Sequence, residues 1–265
     1  GFGLKYITPY ALALGASNAI IGLLSSLPNL LGNLSQIYSS RIIEKTSRKK
    51  IVSYSVLFQA LMWIPIIMAG MLYFVFNFSS LSVSLLLLLV YTLVILFGAF
   101  AGPAWSSWMR DIVTKNTGEY FGRRNKIVGS ITLINMLMAG LILNYFQGKN
   151  VFTGFIIIFT LALLGRSVSA YIFTKQYEPK LSYHDGYYFS FWQFLKKMPL
   201  NNFGRFVIFT SLLSFSVALA SPFFAVYMLK NLEFNYLTFT IVSISASFTT
   251  IFFMPLWGKF QINTE

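Results

Sequence analysis

Apolar residues fall along this chain in long, unalternating blocks separated by short polar stretches. Eight blocks cover roughly residues 1–14, 17–40, 51–76, 82–108, 127–146, 151–174, 204–229 and 236–257. All but the first reach the ~20 residues that a helix needs to cross a hydrocarbon core about 30 Å thick. Backbone amides in lipid must find partners inside their own segment, so blocks of this length predict helices. Strands of a membrane barrel would alternate in polarity, and these blocks do not. The first span is short, the chain opens on Gly1 rather than Met, and span 8 stops a few residues before Glu265. Both ends are therefore expected to be cut. No basic leader with a small-residue cleavage site precedes span 1, so no signal peptide is expected.

Composition sharpens this picture. Hydrophobic residues make up 56% of the chain and charged residues 10%, whereas a soluble domain carries about 25% charged residues. The absence of cysteine and the single histidine, His184, leave no disulfide, thiolate metal site, cysteine nucleophile or histidine metal cluster. The net charge of +13 raises nucleic acid as a partner, but topology accounts for it. Of the twenty cations, sixteen lie in the segments that follow spans 2, 4, 6 and 8. Lys149 and Lys230 alone fall on the other side, and Lys5 and Arg166 lie within spans. Excess Lys and Arg mark cytoplasmic loops, so loops 2–3, 4–5 and 6–7 are placed in the cytoplasm of a multi-pass protein of the cell membrane. An embedded enzyme would need paired acids, a metal cluster or an activated nucleophile, and no such set is visible.

The connection over residues 175–203 is the longest. Its aromatics Phe189, Phe191, Trp192 and Phe194 precede Lys196 and Lys197, a pattern suited to a helix lying in the membrane interface. It divides residues 1–174, a six-span block with an incomplete first helix, from residues 204–265, the start of a second block. Thr8-Pro9-Tyr10-Ala11 in span 1 is weakly similar to Ser221-Pro222-Phe223-Phe224 in span 7. Related halves are common in secondary transporters.

The turn after span 2 reads Ser40-Arg41-Ile42-Ile43-Glu44-Lys45-Thr46-Ser47-Arg48-Lys49-Lys50. It resembles the loop signature of the major facilitator superfamily, Gly-x-x-x-Asp-Arg-x-Gly-Arg-Arg/Lys. Ser40 and Ser47 stand for its glycines, Glu44 and Lys45 for its acid–base pair, and Arg48 and Lys49 match directly. Losing both glycines puts a tight turn at Ser47 in question. Gly102 to Trp108, Asp111, and Phe121 to Asn125 look like the helix 4 to helix 5 region of a prokaryotic branch. Asn202 to Tyr227 resembles its helix 7. After span 8, Gly258-Lys259 opens a degenerate second copy of the signature.

The resemblance implies an all-α integral membrane protein, a helical bundle with about eight of twelve transmembrane helices present. It implies a secondary active or facilitative transporter that moves a small solute by alternating access. Such a protein needs no cofactor or metal, acts on a small molecule within the lipid bilayer, and works as a monomer. The alternative is a non-transporting membrane sensor or scaffold of the same fold.

Candidate working residues follow from position. Glu44, Arg48, Asp111, Arg123 and Arg124 gather at one end of the bundle and are expected to form a cytoplasmic gate, either as ion-pair latches or as solvated topology determinants. Gly98, Gly102 and Ser106 recur at four-residue spacing, which suits close helix packing. Pro103 should kink span 4, and Pro28, Pro65 and Pro255 could act similarly. Asn29, Asn33, Gln36 and Ser40 share one helix face, lining either an aqueous path or a neighbouring helix. Lys5 lies near mid-membrane, where a cation costs about 3 kcal/mol and needs a cavity or partner. It leans the substrate towards an anion. Arg166 is close enough to the cytoplasmic end to snorkel, and Asn135 adds a polar group in span 5. No Asp or Glu lies within a span, which favours uniport or coupling through a group other than a membrane carboxylate.

Overall fold

The computed structural model describes residues 2–114, 117–179, 195–245 and 248–249, with backbone only for residues 37–45 and 119. A 3₁₀ turn at Leu4–Tyr6 leads into α1 (Ile7–Ala13), followed by α2 (Asn18–Lys45), α3 (Arg48–Leu61) and α4 (Trp63–Phe74). Next come α5 (Ser80–Ile112), α6 (Thr117–Gln147), α7 (Val151–Lys175) and α8 (Asn202–Val226), which continues as a π-helical turn over Tyr227–Asn231. A last helix, α9, runs over Tyr236–Ser245. All regular structure among the described residues is helical, as the unalternating apolar blocks require. Five segments are long and apolar enough to cross a membrane: Arg48–Phe74, Ser80–Ile112, Tyr120–Gln147, Val151–Lys175 and Asn202–Asn231. The chain is a multi-pass membrane protein. The helix α2 has the length but carries Asn29, Asn33 and Gln36, which dilute its hydropathy.

The helix starts are written in side chains. Ser17, Ser47, Ser79 and Asn201 each place a side-chain oxygen on a backbone N–H three residues on, satisfying one of the donors that a helix leaves free. The turn between α1 and α2 needs Gly15, whose φ of +76° lies in the left-handed region.

Several sequence expectations shift. The loop signature is mostly helix: α2 runs on to Lys45, leaving only Thr46 and Ser47 between it and α3. That turn closes without glycine because Thr46 is extended (φ −135°, ψ 143°) and Ser47 caps α3. The helix α6 starts ten residues before the apolar block does, so Arg123 and Arg124 are helical. Span 3 is two helices. Pro65 has no N–H to offer the carbonyl of Leu61 and its ring crowds that carbonyl, so the helix breaks at Met62. Pro28 and Pro103, by contrast, sit inside uninterrupted helices, while Pro255 lies outside the described residues. Of the interfacial segment, residues 180–194 are also outside them; residues 195–197 are helical and Met198–Leu200 form a 3₁₀ turn.

The main core brings together Tyr10, Leu14, Ile21, Leu87, Leu143, Phe155 and Phe159 from α1, α2, α5, α6 and α7, with Val226 and Phe239 from the later helices. It fills the end of the bundle that carries the Gly15 turn. A second, smaller core of Val52, Val56, Ala104, Trp108, Met109 and Ala170 joins α3, α5 and α7 at the opposite end.

Candidate functional site

Arg48 is the first residue of α3, and it is 2% exposed. A guanidinium buried this far must be paired on several sides. Its Nη1 donates to Asp111 Oδ2 at 2.5 Å and to Ser107 Oγ at 3.2 Å, both on α5. Its Nη2 donates to the carbonyl of Pro179 at 3.0 Å, and Nε stands 4.0 Å from Glu178 Oε1, both just beyond α7. Glu178 in turn accepts from Ser47 Oγ at 2.5 Å and from the Lys49 N–H at 3.1 Å. Trp108 Nε1 donates to the Tyr177 carbonyl at 2.9 Å. The cluster thus ties α3, α5 and the segment after α7 into one piece.

Arg48 and Asp111, which the sequence places at the same end of the bundle as either latches or solvated charges, form an ion pair. Glu178 was missed, because nothing at the end of span 6 announces a partner for a residue 130 positions earlier. Arg124 stacks over the Trp105 ring at 4.4 Å and Arg123 is exposed, so neither joins the pair. The side chains of Ser40, Glu44 and Lys45 lie outside the described residues. Every described partner in the cluster lies on α3, on α5 or in the segment just after α7, so among the described residues the cluster does not bridge to α8 or α9.

Mid-bundle, a cavity of about 330 Å³ lies where the two blocks meet. Lys5, Thr8, Ser25, Asn29 and Tyr91 line it from the first block, and Ser221, Pro222, Thr240 and Ser243 from α8 and α9. Tyr6 closes one wall, donating to the Met136 carbonyl at 2.7 Å with Thr240 Oγ1 at 3.0 Å. Towards the Gly15 end the blocks share the main core, with Phe155 edge-on to Tyr236 at 5.8 Å. Towards the Arg48 end, α8 stands away: Phe206, Phe209, Leu212 and Phe215 are all more than 60% exposed. Among the described residues, the shared core covers the cavity towards the Gly15 end, and α8 stands clear of the other helices towards the Arg48 end.

A second cavity of about 430 Å³ inside the first block is lined by Lys5, Gln59, Thr132, Asn135 and Arg166. The structure thus brings Arg166 and Asn135 to a shared space with Lys5, which borders both cavities. Asn33 and Gln36 are exposed farther along α2 and line neither.

A family model described as Major Facilitator Superfamily matches residues 2–262. The chain belongs to the major facilitator superfamily. No curated protein and no solved structure matches it. Members of the superfamily are membrane transporters of small molecules, generally not enzymes, which fits the cavity between blocks and the braced loop.

Close helix approaches explain two glycines. A Cβ at Gly98 would lie 2.5 Å from Gln59 Nε2, which crosses from α3 to donate to the Val94 carbonyl at 2.7 Å. The four-residue spacing marked Gly98 for close packing, but Gly102 has nothing within 4 Å of its would-be Cβ and Ser106 is exposed. Gly140, which the sequence reading passed over, would put a Cβ 2.6 Å from Thr240 Oγ1 where α6 meets α9. Gln59 was also missed. It is 4% exposed and its Oε1 has no partner, and a lone glutamine in an apolar run gives no periodic signal.

Proposed function

We propose that this protein carries a small solute across the cell membrane by alternating access, with the cavity around Lys5 and Asn29 as the central site. The observation that carries the reading is that cavity: residues of both blocks line it, a shared apolar core closes one end, and splayed helices open the other. With the cation-rich loops in the cytoplasm, this is the inward-open arrangement. Residues 1–174 and 204–265 then act as two blocks that rock about the site, linked by residues 175–203.

The Arg48–Asp111–Glu178 cluster keeps α3, α5 and α7 moving as one body. The sequence position of Glu44 in the loop signature assigns it the role of biasing the cytoplasmic gate, in a balance that needs only a small energy difference to tip. Lys5 is the one charged group among the described residues of the lining, and it favours an anionic group on the solute. Among the described residues no carboxylate lines the cavity, which favours uniport or coupling through another group. The described walls of the site all come from one chain, which supports the monomer as the working unit.

Reconstituted proteoliposomes test this with a panel of small anionic, neutral and cationic solutes. The account expects saturable flux of an anionic member, with Lys5→Ala raising its KM by tenfold or more, the loss of about one charge-assisted contact. Glu44→Lys should cut flux while leaving membrane insertion intact. No flux for any solute would contradict the transporter reading and favour a sensor or scaffold. Unchanged KM in Lys5→Ala would remove Lys5 from the site.

A further inference from the structure

A groove of about 610 Å³ runs along the outside of the bundle between α3 and α7, sharing no residue with the two inner cavities. At its Arg48 end stand Ser47, Lys49, Lys50 and Glu178. The backbone donors of this helix start are already taken: the Lys49 N–H by Glu178 Oε1 and the Lys50 N–H by Ser47 Oγ. The Glu178 carboxylate is likewise committed, to the Ser47 hydroxyl, that same N–H and the Arg48 guanidinium. Among the described residues, neither the Lys49 nor the Lys50 ammonium pairs with a carboxylate. Among the described residues, the mouth of the groove therefore presents two positive charges that no carboxylate neutralises.

One helical turn deeper lies Ser53, on the same face as Lys49 and Lys50. It is 8% exposed and lines the groove, and among the described residues its buried hydroxyl has no hydrogen-bond partner. Buried hydroxyls are normally satisfied, so this one calls for a ligand atom. Deeper still the walls turn apolar, with Tyr54 and Leu57 on α3 facing Ala170 and Tyr171 on α7. From mouth to floor the order is cation, hydroxyl, hydrocarbon. That is the order of a phospholipid: phosphate, ester oxygens, acyl chain. Basic pockets between membrane helices are suited to anionic headgroups.

We infer that the α3–α7 groove binds one anionic phospholipid, its phosphate on Lys49 and Lys50, its ester region at Ser53 and an acyl chain along Tyr54, Leu57 and Tyr171. The outward position of the groove and its contact with the bilayer make lipid the occupant with access to it. Zwitterionic lipid of the same chain length would keep the apolar contacts but offer no net charge to the two lysines.

Native mass spectrometry of the delipidated protein, given equimolar phosphatidylglycerol and phosphatidylcholine with identical chains, tests the site. Each lysine near a bilayer surface strengthens anionic lipid binding several-fold, so phosphatidylglycerol adducts should exceed phosphatidylcholine adducts about tenfold or more. The double variant K49Q/K50Q should abolish that preference, and Ser167→Phe, which fills the groove wall, should reduce adducts of both lipids. The variant R110Q/K126Q removes two exposed cations at the same end of the bundle but outside the groove, and should leave the preference intact. Equal adducts in the wild type, a preference that survives K49Q/K50Q, or one lost equally in R110Q/K126Q would each overturn the assignment.

Discussion

At the residue scale, two side chains carry unusual burdens. Arg48 is buried with four oxygens around it, and breaking a buried ion pair costs about 3–5 kcal/mol. Asp111 is 38% exposed and water can replace part of what it loses. Arg48→Ala is therefore expected to destabilise by roughly 2 kcal/mol, read as a lowered thermal midpoint in detergent. Arg48→Lys should recover little, since an ammonium cannot reach Asp111, Ser107 and Pro179 at once. Gln59 fits only because Gly98 has no side chain. Gly98→Ala should cost about 1–3 kcal/mol, and adding Gln59→Ala should recover most of it, a coupling that a double-mutant cycle measures. If the two costs simply add, the close approach is not what holds Gly98. Arg48 and Asp111 stand out in the sequence as charges at the same end of the bundle, but their pairing with each other does not. Glu178 and Gln59 do not stand out, since a partner far along the chain leaves no local mark.

At the element scale, apolar runs predicted where helices lie but not where they end. Charged and polar residues beyond the hydrocarbon remain helical as long as nothing stops them, so α2 runs to Lys45 and α6 begins at Thr117. What stops or breaks a helix is local chemistry: the Ser47 cap, and Pro65 acting on Leu61. Pro103 shows the limit of that rule, since α5 continues through it. Where α6 meets α9, Gly140 lets Thr240 approach. Gly140→Leu is expected to force the two helices apart and to destabilise by about 1–3 kcal/mol. An unchanged thermal midpoint would mean that the seam can repack without loss.

At the scale of the whole molecule, the account rests on two blocks that meet at a closed seam and separate towards the cation-rich loops. The charge pattern along the chain suggests which loops share a side, and the family match covers residues 2–262, including nearly all of both proposed blocks. The cavity was only partly legible: Lys5 and Asn29 stood out as polar groups at depth, whereas the hydroxyls of Thr8, Ser25, Thr240 and Ser243 look ordinary in sequence. The natural lack of cysteine makes the direct measurement clean. A single cysteine at Asn29, treated with a membrane-impermeant maleimide in vesicles of either orientation, reports which face reaches the cavity. Alternating access predicts fast modification from the face that bears the Lys49–Lys50 loop and slow modification from the other. Adding Gly140→Leu at the closed seam should shift the ratio towards that second face. Modification from neither face, or from the loop face alone with no response to Gly140→Leu, would contradict a cavity that opens to both sides in turn.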